Sequence, residues 1–273
     1  MHLIKDGKPI DSFDSSMQLN PGVNGEEYRL FGGVLALLQE SVRKEKIPNF
    51  FGDCKFGERF SGAKPFLSRE LAGIPNFPDC IFLNESYIIC IDHFQINAST
   101  PRSNYKNGDD YRAFLGRHHD LLDQNCYKTL ESLLNEEGVV FSRNNLPTSM
   151  MHALCSKLPK VLLYKNAARQ YIESGHNQRD IKEDLAKCME VWFLVEDVSP
   201  TTFFPSIFND AVLSALENCQ ELEGLIYVHN SFPTQVPKDI EEVVFIHNDD
   251  NARKQLSQLS SDLIDASASH RDK

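Results

Sequence analysis

The run Tyr87-Ile88-Ile89-Cys90-Ile91-Asp92 constrains the fold more than any other part of the chain. Successive strand residues point to opposite faces, and here both faces are apolar, so the strand has to lie centrally in a sheet covered on both sides. Asn84, Glu85 and Ser86 form a short polar connection to a second apolar run at residues 80–83, which suits a hairpin. Later in the chain, strand-like runs at 191–195, 225–228 and 243–247 alternate with helical patterns at 208–219 and 251–264. That alternation predicts an α/β fold with parallel strand neighbours.

Upstream, Tyr28, Phe31, Val34, Leu35, Leu38 and Val42 recur at spacings of three and four, predicting a first helix over 20–46 with Asn24 able to cap its start. Residues 47–78 are rich in Gly, Pro and Phe and read as loop, with one short strand at 54–60. A long helix is predicted over 111–137, and residues 161–164 fit either a strand or the opening of a helix through Ile172. The expected organisation is one α/β domain over 1–265. It comprises a core at about 20–200, a C-terminal strand-helix extension at about 201–265, and a small, polar, frayed tail at 266–273.

At 273 residues, with 41% hydrophobic and 25% charged side chains, the chain can bury a core and is not disordered in general. No stretch approaches the ~20 apolar residues of a membrane helix, and Lys5, Asp6 and Lys8 interrupt any secretory core near the start, so a cytoplasmic location is expected. The net charge of −11 disfavours indiscriminate binding to phosphate-rich surfaces. Within 157–187, however, seven basic residues (Lys157, Lys160, Lys165, Arg169, Arg179, Lys182, Lys187) outnumber four acidic ones (Glu173, Asp180, Glu183, Asp184). This stretch is either a solvated helix face with i,i+4 pairs or a local phosphate-facing groove. Seven dispersed cysteines without a CxxC pair encode neither a disulfide framework nor a zinc ribbon, and Cys80 and Cys90 read as small core residues. Glycine-rich phosphate loops, GxSxG elbows and HExxH pairs do not occur.

The chemistry-bearing candidates are two aspartates. Asp79, after Pro78, opens the first strand of the hairpin, and Asp92 closes the second. Pairing of the strands brings both carboxylates to one end of the sheet, where they would repel unless a divalent cation is shared between them. Each also has a plainer use: Asp79 as a turn residue bonding nearby amides, Asp92 as a strand-end residue bonding the following loop.

At these residues the chain resembles the PD-(D/E)xK, or restriction-endonuclease-like, nuclease superfamily. In that fold a helix with an acidic residue precedes a mixed sheet. A strand bearing Pro-Asp is followed by one bearing an acid, any residue, then lysine. The matching positions are Pro78, Asp79 and Asp92, with Glu27 on the preceding helix, at the edge of its apolar stripe. Glu27 also fits a solvated first-turn acid that complements the helix dipole. The resemblance implies a mixed sheet flanked by helices and Mg²⁺ or Mn²⁺ held by Asp79, Asp92 and the backbone carbonyl of His93. It further implies hydrolysis of nucleic-acid phosphodiesters, DNA before RNA. The departure is Phe94, which stands where the family has lysine. Lys106 in the following loop, or Lys165 further on, is the candidate replacement; Gln95 is next to Phe94 but falls on the opposite strand face from Asp92. Expected partners are therefore nucleic acid and either a second copy of the chain or another protein, with no membrane. The alternative is an inactive nuclease-fold protein acting as a recognition or scaffold subunit.

Other candidates are weaker. His118-His119-Asp120, with His93 and Asp123, is similar to the metal doublet of HD-type phosphohydrolases, an all-helical family. His229-Asn230 and His247-Asn248 end predicted strands, where α/β sheets bind ligands, and Glu196-Asp197 follows Val195 as a possible further acid for the metal or a loop.

Overall fold

A computed structural model describes residues 3–5, 8–10, 50–52, 64–66, 76–83, 86–99, 142–173, 188–199, 204–230 and 240–269. The strands are β1 (Leu3–Lys5), β2 (Lys8–Ile10), β3 (Phe50–Phe51), β4 (Lys64–Phe66), β5 (Cys80–Leu83), β6 (Tyr87–Ile96), β7 (Cys188–Asp197), β8 (Gly224–Asn230) and β9 (Ile240–His247). The helices are α1 (Leu146–Lys157), α2 (Val161–Glu173), α3 (Asp210–Glu217) and α4 (Asp250–Ser269). β1 and β2 make a two-stranded antiparallel ribbon, and the other strands form one mixed sheet in the order β3-β9-β8-β7-β6-β5-β4. This is an α/β fold.

The apolar run singled out in the sequence lies inside the sheet. β6 pairs antiparallel with β5 and parallel with β7, and Ile88, Ile89, Cys90 and Ile91 are all buried. Alternation divides the sheet into two faces. Ile88, Cys90, Phe94 and Ile96 of β6 lie with Val191, Phe193 and Val195 of β7, Leu225 and Tyr227 of β8, and Val244 and Ile246 of β9 in one hydrophobic core. All four helices contribute to that core, through residues such as Leu154, Ala168, Leu213 and Leu256. On the opposite face Ile89, Ile91, Trp192, Leu194, Ile226 and Phe245 are also buried, as a centrally placed, partly parallel sheet requires.

Several boundaries differ from those expected. β6 continues past Asp92 to Ile96 because β7 carries on beside it, matching every residue from Tyr87–Cys188 to Ile96–Asp197, whereas its pairing with β5 stops at Cys80–Ile91. Asp92 is thus the first residue beyond the hairpin ladder, not the last of its strand. Short strands occur at Phe50–Phe51 and Lys64–Phe66 within the stretch read as loop. Residues 161–164 open a helix, since a 3₁₀ turn at Leu158–Lys160 feeds directly into α2. The terminal helix reaches Ser269, so residues 266–269 are helical rather than frayed. The predicted helices at 20–46 and 111–137 and the strand at 54–60 lie outside the described residues.

The path of α1 and α2 positions the site. Pro147 stands in the first turn of α1, where its missing N–H costs nothing. Pro159, in the 3₁₀ turn, cannot continue the ladder and ends α1 at Lys157. In α2, Val161, Tyr164 and Ala168 fall at i, i+3 and i+7, so they share one face, and all are buried in the core. The last turn of α1 and the first of α2 therefore meet over the middle of β6.

Candidate active site

Four side chains and one carbonyl converge where the β5–β6 ladder ends. Asp92 lies on the helix-covered face and is 3% exposed. The Lys157 ammonium, from the last turn of α1, is 2.6 Å from Asp92 Oδ2 and donates to the His93 carbonyl oxygen at 3.2 Å. Oδ2 itself is shut from water and has no hydrogen bond, so the ammonium compensates it by charge from off the bonding direction. Asp79 approaches from β5, its Oδ2 accepting the His93 N–H at 2.7 Å. Tyr164, on α2, brings its phenol close to the Asp92 carboxylate. Burial, with the Asp92 and Asp79 charges close by, holds that phenol protonated far above its ordinary range.

Asp79, Asp92 and the His93 carbonyl, three of the predicted groups, are therefore together. Glu27 and Lys106 lie outside the described residues, as do His118, His119, Asp120 and Asp123. Lys165 is committed elsewhere, 2.8 Å from Glu221. Phe94, where the resemblance expects lysine, is on the same face as Asp92, one pair further along, where its ring meets Phe193 edge-on at 5.7 Å. The ammonium beside Asp92 comes from the adjacent helix end, as Lys157. In the sequence Lys157 stands out only as part of a basic stretch; of its partners on β6, His93 is 64 residues away in the chain and Asp92 one further, and no local pattern marks the contact.

The His93 imidazole is turned to the other face. Its Nε2 is 3.0 Å from Glu196 Oε2, which also accepts from Gln95 Nε2 at 2.9 Å. Gln95 is thus opposite to Asp92, as alternation requires, and Glu196 belongs to this second cluster rather than to the aspartates. Asp197 shares the face of Asp92 but is saturated locally. Its Oδ1 accepts from the Ser199 amide at 3.0 Å and the Ser199 hydroxyl at 2.5 Å, and its Oδ2 accepts from Tyr227 at 2.9 Å. His229 does end a strand, with Nε2 2.9 Å from the Ser199 carbonyl, and His247 lies between Glu223 and Asp249 at 2.9 Å each.

The donor set suits a small hard cation. Asp92 Oδ2 and the His93 carbonyl are oxygens already turned toward one positive charge, and the Asp79 carboxylate is held beside them by the His93 amide. Mg²⁺ and Mn²⁺ sites commonly take one or two carboxylates, completed by water and substrate phosphate. Among the described residues there is no group of three His, Cys, Asp or Glu side chains placed to hold a metal. A softer ion with an all-protein cage therefore has no counterpart among them.

No protein-family model matches the chain, and no curated protein or solved structure matches it. Among the described residues no helix is long and apolar enough to cross a membrane.

Proposed function

We propose that the chain is a divergent nuclease of the restriction-endonuclease-like kind, hydrolysing nucleic-acid phosphodiesters, DNA in preference to RNA, with Mg²⁺ or Mn²⁺. Asp79, Asp92 and the His93 carbonyl would hold the ion, which when bound supplies Lewis acidity toward a phosphate and a more acidic water. The observation that carries this reading is the delivery of Lys157 to Asp92. An acid on each strand of a hairpin with a lysine beside them reconstitutes the charge set that Phe94 removes. Lys157 would face the developing negative charge of the phosphodiester. The basic residues that follow Lys157, among them the exposed Lys160 and Arg169, support a backbone-contacting surface beside this site. Free Cys90, Cys155, Cys188 and Cys219 support a reducing compartment such as the cytoplasm.

The test is incubation of the purified protein and its Asp92→Asn and Lys157→Met variants with supercoiled, linear and single-stranded DNA and with RNA, each with Mg²⁺ and Mn²⁺. The wild type is expected to cut, and each variant to lose roughly a hundredfold or more in rate. Equal cutting by wild type and Asp92→Asn would remove the proposal. A second reading, an inactive recognition or scaffold subunit on the same fold, is favoured by the fact that an ammonium already neutralises Asp92. It expects no Mn²⁺ binding that depends on Asp79 and Asp92.

A further inference from the structure

The structure assigns to Lys157 a second role, which rests on the metal reading above: it is a built-in occupant of the cation position, and a divalent ion has to displace it to load the site. Its ammonium touches both oxygens that such an ion would share, Asp92 Oδ2 at 2.6 Å and the His93 carbonyl at 3.2 Å. An ion bound to the same two oxygens at about 2.1 Å enters the wedge the ammonium fills, and two positive charges at that separation repel strongly beside a buried carboxylate. Asp92 Oδ2 is consistent with this use. It is buried and has no directed hydrogen bond, so it is satisfied by a cation and not by a fixed donor that a metal would have to break.

Lys157 is also built to leave. It is on the last turn of α1, just before the proline-containing turn, on a flexible four-carbon stem, and its side chain is 22% exposed while that of Asp92 is 4%. The ammonium can therefore rotate toward water while the carboxylate stays. The β6–β7 ladder, in which Asp92 pairs with Phe193, holds Asp92 independently of Lys157, so the carboxylate keeps its place during the exchange. The stable metal-free state thus carries its own cation, which protects a buried carboxylate from standing uncompensated. The displaced ammonium then becomes available to an incoming phosphate.

Two measurements on metal-stripped protein test this. In the first, Mn²⁺ is titrated by calorimetry, with free Mn²⁺ followed by electron paramagnetic resonance, into the wild type, Lys157→Met, Asp92→Asn and the double variant. Lys157→Met should bind Mn²⁺ roughly tenfold or more tighter than the wild type, because no tethered cation competes, and Asp92→Asn should abolish binding in either background. In the second, wild-type lysines are acetylated with and without saturating Mn²⁺ and mapped by mass spectrometry. Labelling of Lys157 should rise several-fold with Mn²⁺ while the exposed Lys160 is unchanged. This arm stands even if Lys157→Met does not fold. Binding that needs Asp92, with equal affinity in Lys157→Met and no change in Lys157 labelling, overturns the displacement and leaves the metal site standing. The absence of any Asp92-dependent binding in every variant overturns both.

Discussion

Replacing Lys157 by methionine in the absence of metal leaves Asp92 as a buried carboxylate without its ion-pair partner. Removing one partner of a fully buried ion pair costs about 3–5 kcal/mol. Lys157 keeps contact with water, 22% of its side chain being exposed, so part of that stabilisation is screened and about 2–3 kcal/mol is expected. Asp92→Asn is milder, about 1–2 kcal/mol, because the orphaned ammonium can swing outward and hydrate. The double variant removes both charges and should cost no more than the milder single change, giving a coupling energy of about 2 kcal/mol. Urea unfolding in EDTA is the assay, followed through the fluorescence of Trp192, the chain's single tryptophan and a fully buried one. If the two single costs simply add, within ~0.5 kcal/mol, the ion pair is not energetically real and the reasoning fails.

Three further outcomes follow from the fold. At Gly224 a Cβ would stand 2.3 Å from Trp192 Cζ3 and 2.4 Å from the Ile246 carbonyl, so Gly224→Ala should cost about 3 kcal/mol or more, lowering the melting temperature by roughly 6 °C; an unchanged melting curve would contradict the β8 packing. Burial pushes the Cys90 thiol up to about 12, so iodoacetamide at pH 8 should label the exposed Cys155 and Cys188 in the native protein and reach Cys90 only after unfolding, and native labelling of Cys90 would be inconsistent with the sheet. Burial also raises the Asp197 carboxyl above its ordinary 3.8, so the native state holds that proton more readily than the unfolded chain. Its contribution is full below about pH 4 and is lost as pH climbs through the native value. Wild type should therefore lose stability relative to Asp197→Asn as pH rises from 4, and a difference independent of pH would refute the assignment.

The sequence shows the sheet better than the site. β6, β7, β8 and β9 announce themselves because apolar runs on both faces have few other uses in a chain of this kind, and the polar connection at 84–86 marks the β5–β6 hairpin. The end of β6 was hidden by its polarity. His93 and Gln95 look like loop residues until Glu196 of the neighbouring strand is seen to bond both, a pairing separated by 103 and 101 residues. α1 was hidden by Pro147 and Pro159, which read as breakers but stand in its first turn and just beyond its last. The aspartates were found because Pro-Asp and a strand acid are local patterns. Lys157 was not, since a lysine in a basic stretch carries no mark of the carboxylate it will meet across the fold. On β6, Phe94 packs into the core against Phe193, and the ammonium beside Asp92 comes from a helix end that still touches water.

The most direct test of the account is a crystal structure of the protein soaked in Mn²⁺, with the ion located by its anomalous scattering. The account predicts an ion about 2.1 Å from Asp92 Oδ2 and from the His93 carbonyl oxygen, with the Lys157 ammonium turned off both. A map with no ion there, and Lys157 still 2.6 Å from Asp92, would contradict it.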